Sequence, residues 1–580
     1  MSPSKKQTLV SAPAGSPPEL IVVSKSVQEP YADEVSSAIN SSQEYAADSL
    51  TGFVLKHKLK FHPLFGSSDQ EVASIASKAA EQAPGEDFSA LRQYYMVEAP
   101  AAELENLAAE LNQLEEVEGA YVKPGCMPPF YIEEDISLKT PEIQAPITQN
   151  LTANQGYLNA APQGIDARYA WTLPGGRGAG VRIIDIEGGW NFQHEDLRVN
   201  VGGILAGTNS TDPVWRNHGT AVLSEMGGDV NTFGVTGICP QANLRAVSIF
   251  GPGTANAIRI AADNLSPGDI MLIELHRGGP RYPGGNTQFG FIAIEWWPDD
   301  YEALRYATSK GIIVIEAAGN GSQNLDDAIY NTPRPGFPST WRNPFRRANG
   351  VDSGCILVGA GAPPPGTNGG NWGVDRSRLN FSNYGSCIDA QGWGNGVTAA
   401  GYGNISGSNP SNQNEWYTHF FSGTSSASPI VVGAVACLQG IQRAAKRTLL
   451  TPRRVRELLR TTGSPQQAGA NPVSQRIGNR PNLRALVAAV SGKRNWVGVQ
   501  FTGTVAANAT ARWFTHSWPD HWHVIWTVVP TAPAIDGPAQ IEFSVKTTRQ
   551  AFGLIKYFID IKNLQNYPVT IEARYCVLAS

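Results

Sequence analysis

Between residues 181 and 359 the chain carries a series of short, continuous Ile/Val/Leu runs, and these constrain its fold more than any other feature. The runs fall at 181–186, 244–250, 270–275, 312–317 and 356–359, with helical patterns at 254–264 and 301–309 between them. A strand that alternates polar and apolar residues buries one face, whereas a run without alternation must bury both. Such strands separated by helices build a parallel sheet covered on both sides. Residues 158–490 are therefore expected to form a doubly wound α/β domain.

The flanks read differently. Residues 1–50 are rich in Ser, Ala and Pro and are expected to be flexible, with one apolar run at 20–23. Residues 51–124 read β-α-β-α-β. Phe53, Leu55, Leu59 and Phe61 alternate with lysines as in a half-buried strand, 69–82 and 101–114 read as helices, and 94–99 and 119–123 read as strands. That order suggests a small ferredoxin-like α+β module. Residues 125–157, rich in Pro, Thr and Gln, read as a linker. After 495 only strands are expected, at 521–529, 539–546, 553–561 and 569–578, which implies a small all-β domain. Trp513, Trp518, Trp522 and Trp526 concentrate there, as a tryptophan-rich core or a binding face.

Composition sets outer limits. Hydrophobic residues make up 41% and charged residues 16%, a globular balance, and the net charge of −5 offers no basic surface for nucleic acid. No run of about eighteen apolar residues suggests a membrane span. The two lysines near the start have no apolar stretch of about 7–15 residues behind them, so no Sec signal is expected and the compartment stays open. Six scattered cysteines without a CxxC spacing argue against zinc and thiol redox chemistry, and one disulfide stays open.

Three local motifs in the α/β region carry chemistry. The first run ends in Asp185, and catalytic groups in such sheets gather at the carboxyl ends of strands. Asn217-His218-Gly219-Thr220 puts a histidine ahead of an apolar helix. Ser422-Gly-Thr-Ser425-Ser-Ala-Ser-Pro429 puts a serine just before a helix N-terminus, where free N–H groups favour a developing oxyanion. Taken singly, each motif could equally be a cap or a packed polar residue. Together they supply a nucleophile, a base and an orienting carboxylate.

In that combination the chain resembles the subtilisin-like serine peptidases, the S8 group, over about residues 158–490. The resemblance implies a triad of Asp185, His218 and Ser425. It also gives Asn320, in Ala317-Ala318-Gly319-Asn320, the role of oxyanion donor beside the Ser425 N–H. No organic cofactor is implied. Sedolisin peptidases share the fold but use Glu in place of His, and the complete Asn-His-Gly-Thr motif argues against that reading. Asp185-Ile186-Glu187 departs from the Asp-Thr-Gly usual in the family. Glu187 either acts on His218 or points into solvent.

Further expectations come from the resemblance alone. Substrate would pair with the stretch Glu274–Pro280 and with the end of the Asn320 strand, which names Leu275, Gly278, Gly279, Ala318 and Gly319. Asp196, Asn231 and Asn159 would hold a structural calcium ion. Residues 51–124 resemble an inhibitory pro-segment that packs on the catalytic domain, and the extended 121–123 stretch could lie in the cleft. The partners implied are protein or peptide substrates and this intramolecular segment, with no nucleic acid or membrane. The alternative is a catalytically inactive scaffold that keeps the fold.

Overall fold

The computed structural model describes residues 15–27, 29–38, 45–46, 49–82, 86–130, 148–347, 351–407, 409–491, 495–520, 522–551 and 553–578. The expected flexible stretch at 1–14 and most of the expected linker, 131–147, lie outside the described residues. The chain divides into one unit up to Leu486 and a second from Val487 onward.

The larger unit is built on a seven-stranded sheet. Its order is Ile388–Trp393, Ile356–Gly361, Ile313–Ala317, Ile270–Ile273, Arg182–Glu187, Asn243–Ser248, Val201–Ala206. Every neighbouring pair is parallel. The five apolar runs read from the sequence are the five central strands. The sequence reading missed both edge strands, Val201–Ala206 and Ile388–Trp393, whose glycines and polar residues break the apolar pattern. Helix Thr424–Ala444 packs against the sheet and is buried almost throughout. It is long and apolar enough to cross a membrane, but it is a core helix here. All six cysteines are unpaired.

Ahead of this sheet lies a four-stranded antiparallel sheet in the order Lys60–Pro63, Tyr94–Glu98, Glu19–Ser24, Val117–Lys123. That is the ferredoxin-like arrangement expected, but with two corrections. The apolar run at 20–23 is a central strand of the module. Leu20 and Val22 face the module's own helices, while Ile21 and Val23 face a core shared with helices Thr254–Asp263 and Pro298–Ser309. The expected strand at 53–61 is instead helix Leu50–Lys56, capped by Ser49 Oγ accepting from the Gly52 N–H at 3.0 Å. The chain then turns at Lys58, where φ is +52°, so the apparent alternation straddles a helix end and a strand start.

The second unit is a β sandwich. Sheets of order 495–505, Val569–Leu578, His523–Ala532 and Thr510–Pro519, Leu554–Asn563, 541–551 share one core. Trp518 and Trp526 are buried in it, with Trp513 and Trp522 packed around it.

Candidate active site

Three elements converge on the site. In strand Arg182–Glu187, side chains alternate, so 185 and 187 share a face at the carboxyl end while Ile184 and Ile186 enter the core behind. Helix Pro213–Gly227 starts with Asp212 capping the Val214 N–H at 2.8 Å and with proline at its first position. Its second turn carries His218. Ser425 occupies the first turn of helix Thr424–Ala444, where backbone N–H groups lack helical partners and the dipole end is positive.

His218, Asp185, Glu187 and Ser425 are wholly buried. His218 Nδ1 lies 2.6 Å from Glu187 Oε2. The sequence reading gave that contact to Asp185, but Asp185 Oδ2 accepts from Trp190 Nε1–H at 2.7 Å. The longer glutamate side chain, two residues further along the same face, reaches the imidazole. The open question about Glu187 is resolved: it meets His218, not solvent.

His218 Nε2, Ser425 Oγ and Asn320 Nδ2 are buried and make no hydrogen bond with the described residues. Asn320 is oriented by Thr424, whose N–H and Oγ1–H both donate to Asn320 Oδ1 at 3.0 Å. A β-carbon on Gly423, where φ is +103°, would lie 3.1 Å from Asn320 Nδ2 and clash with the Pro129 carbonyl, so that carbonyl sits beside the amide. The Ser425 N–H donates to the same Pro129 oxygen at 3.3 Å.

Pro129 belongs to a segment lying in the cleft. Cys126–Met127 pairs antiparallel with His276–Gly278, Met127 opposite His276 and Cys126 opposite Arg277. The Phe130 ring lies 5.8 Å from His218, and its carbonyl accepts from Gln288 Nε2–H at 2.7 Å. The segment in the cleft is therefore 126–130. The expected 121–123 stretch belongs to the module's edge strand. Of the expected substrate residues, Leu275 and Gly278 sit beside or within the pairing strand. The Gly279 N–H is committed to Gly290 O, the Ala318 N–H to Val358 O, and the Gly319 N–H to Thr424 Oγ1.

Burial shapes the electrostatics. It pushes His218 down to about 3 and Asp185 up to about 7, the latter opposed by the Trp190 hydrogen bond and by the neighbouring Glu187 carboxyl. Burial, with Asp185 and Glu274 nearby, also raises Glu187 well above the usual carboxylate range. Glu274, which the sequence reading placed only in the substrate stretch, accepts from Ser428 Oγ and faces Ser425, and burial raises it too.

The expected calcium residues fit poorly. Asp196 Oδ1 accepts from Asn231 Nδ2–H at 2.6 Å, and Oδ2 accepts from the Val235 N–H at 2.7 Å and faces Tyr417 O–H at 3.0 Å. Asn231 Oδ1 is taken by the Phe233 N–H. Calcium needs six to eight oxygens with their lone pairs turned inward, whereas these oxygens face hydrogens. Asn159 bonds elsewhere, to Arg168. We therefore assign no metal here.

Residues 176–479, just over half of the chain, match the subtilase family, Peptidase S8. The chain belongs to this family. Curated relatives include subtilisin DY of Bacillus licheniformis, 29% identical over 46% of this chain and 78% of its own length. An intracellular serine protease of Paenibacillus polymyxa is 26% identical over 54% of this chain and 84% of its own length. Alkaline elastase YaB of Bacillus sp. is 25% identical over 65% and 80%. This subtilase is thus a serine-type endopeptidase, and its family works on peptide bonds without an organic cofactor.

Proposed function

We propose that this subtilase is the precursor of a serine endopeptidase whose cleft holds its own processing site. In this reading Ser425 is the nucleophile, His218 the general base and Glu187 the carboxylate that orients it, the role the sequence analysis gave to Asp185. The Ser425 N–H and Asn320 Nδ2 receive the oxyanion. The observation that carries the reading is the Pro129 carbonyl on the Ser425 N–H, near an Asn320 amide that donates to none of the described residues.

Mechanistically, Ser425 Oγ adds to the Pro129 carbonyl carbon as His218 Nε2 takes its proton. The negative charge that develops on the Pro129 oxygen is stabilised by the two N–H donors. The bond to Phe130 N breaks, and His218 returns the proton to that amine. Water, activated by the same imidazole, then releases the acyl group from Ser425. Phe130 beside the His218 ring puts the leaving amine on the side the proton must come from.

The test is N-terminal sequencing of the self-processed enzyme. A chain beginning at Phe130 is expected, with Ser425→Ala remaining a single 62.2 kDa species. A fully active enzyme still carrying Met1 would overturn the precursor reading. Labelling of Ser425 by a fluorophosphonate separates the peptidase from an inactive scaffold.

A further inference from the structure

Asp185 and Glu187 each have one carboxylate oxygen that nothing else uses. Asp185 Oδ2 is taken by Trp190 and Glu187 Oε2 by His218. Asp185 Oδ1 and Glu187 Oε1 are buried and receive no donor from the described residues. Residues 185 and 187 lie two apart on one strand, so their carboxyls share one wholly buried face at its carboxyl end, and each perturbs the other's titration. Two carboxylates in that relation cannot both ionise. A single proton held between Oδ1 and Oε1 satisfies both orphaned atoms at once.

The surroundings offer no other compensation. The titratable groups that face this pair are His218 on helix Pro213–Gly227, Glu274 after strand Ile270–Ile273, and Tyr402, with Glu225 beside Glu274 and Tyr402 and His276 beside His218. Among the described residues, none of Asp185, Glu187, Glu225 and Glu274 forms an ion pair with lysine or arginine, and the His218 that meets Glu187 is a neutral imidazole.

We infer that Asp185 and Glu187 share a single proton between Oδ1 and Oε1, so that the pair carries one negative charge facing His218 and Asp185 is a positioning residue acting through Glu187. The inference rests on the peptidase reading above. The row runs from Trp190 Nε1–H to Asp185 Oδ2, across the shared proton between Asp185 Oδ1 and Glu187 Oε1, and from His218 Nδ1–H to Glu187 Oε2. It fixes the tautomer that leaves Nε2 basic toward Ser425. When Nε2 takes the serine proton, the imidazolium meets the Glu187 carboxylate and no proton moves along the row.

Asp185→Asn keeps this geometry, because its amide N–H donates to Glu187 and its carbonyl accepts from Trp190. Its kcat/KM is expected within about tenfold of wild type. The alkaline limb of its pH profile is expected to move to higher pH, since the amide has no proton to lose. Glu187→Ala is expected to lose about 10⁴ in kcat, as when the partner of a catalytic histidine is removed. In the Ser425→Ala precursor, adding Asp185→Asn should remove one protonated-carboxyl C=O band from the infrared difference spectrum. A loss of about 10⁴ in Asp185→Asn with activity kept in Glu187→Ala would overturn the inference, as would an unchanged spectrum. Failure of fluorophosphonate to label Ser425 would instead sink the peptidase reading, and the infrared band would still decide the proton.

Discussion

Lys123, wholly buried at the end of strand Val117–Lys123, sets its ammonium between Asp299 and Asp300 at the start of helix Pro298–Ser309, 3.1 Å from Asp300. Glu19 of the neighbouring strand lies 2.9 Å away, and Tyr121 O–H donates to Asp299 at 2.8 Å. Arg277, opposite Cys126 in the cleft strand, closes the cluster through Asp300 and the Pro124 carbonyl. The N-terminal module is thus anchored by charge immediately before the chain enters the cleft.

Removing one partner of a buried ion pair leaves the others uncompensated, at a cost of about 3–5 kcal/mol. Lys123→Met in the Ser425→Ala precursor should therefore loosen the module. Hydrogen exchange is expected to rise across strands Glu19–Ser24 and Val117–Lys123, with strands Ile270–Ile273 and Ile313–Ala317 unchanged. Equal protection with and without the lysine would mean that the shared apolar core holds the module unaided.

Catalytic substitutions should be graded by what each group does. Ser425→Ala should cost about 10⁶ in turnover, because nucleophile and base act as a unit. Asn320→Ala should cost about 10²–10³, the usual loss for one oxyanion donor. Thr424→Val removes only one of two hydrogen bonds that aim Asn320, so its loss in kcat should be smaller, with KM unchanged. A Thr424→Val enzyme as impaired as Asn320→Ala would show that the remaining N–H does not hold the amide.

Chelation provides a test with a null outcome. Asp196 and Asn231 are joined to each other and to the Val235 and Phe233 N–H groups. A cation there would meet hydrogens, so excess chelator should leave the melting temperature of the Ser425→Ala protein unchanged. A ligand bound only to the native state stabilises it by mass action. A fall in melting temperature that Asp196→Ala abolishes would restore the calcium site.

Fold and site differed in how legible they were. The central strands were readable because burial on both faces leaves unbroken apolar runs, and the same signal at Leu20–Val23 marked a strand that the surrounding Ser, Ala and Pro concealed. Ser425, His218 and Asn320 lay in local motifs and were readable for that reason. Which carboxylate meets His218 was not, because it depends on side-chain reach. Asp185 and Glu187 lie two apart on one strand, so period 2 puts both on the catalytic face, but only packing decides between them. The Pro129 carbonyl was equally hidden, since it acts through backbone.

The buried carboxyls fix the direction of the pH dependence of stability. Burial holds Asp185 and Asp196 at about 7 against an ordinary value of 3.8, and raises Glu187, Glu225 and Glu274 well above the usual carboxylate range. The native protein keeps protons that the unfolded chain has released near pH 4. Stability therefore falls as pH rises through the native values, by up to about 1.4 kcal/mol per pH unit for each group. His194 and His218, pushed down to about 4 and 3 by burial, act in the opposite sense. They do so only below pH 6.5, where the unfolded chain takes up protons that they refuse. Between pH 6.5 and 8 the carboxyls act unopposed. The melting temperature of the Ser425→Ala protein is expected to decrease steadily across that interval. Asp185→Asn and Asp196→Asn should each flatten the slope, because the amide releases no proton. A melting temperature that rises from pH 6.5 to 8 would mean that these carboxyls are ionised in the native state, and with them the pair behind His218.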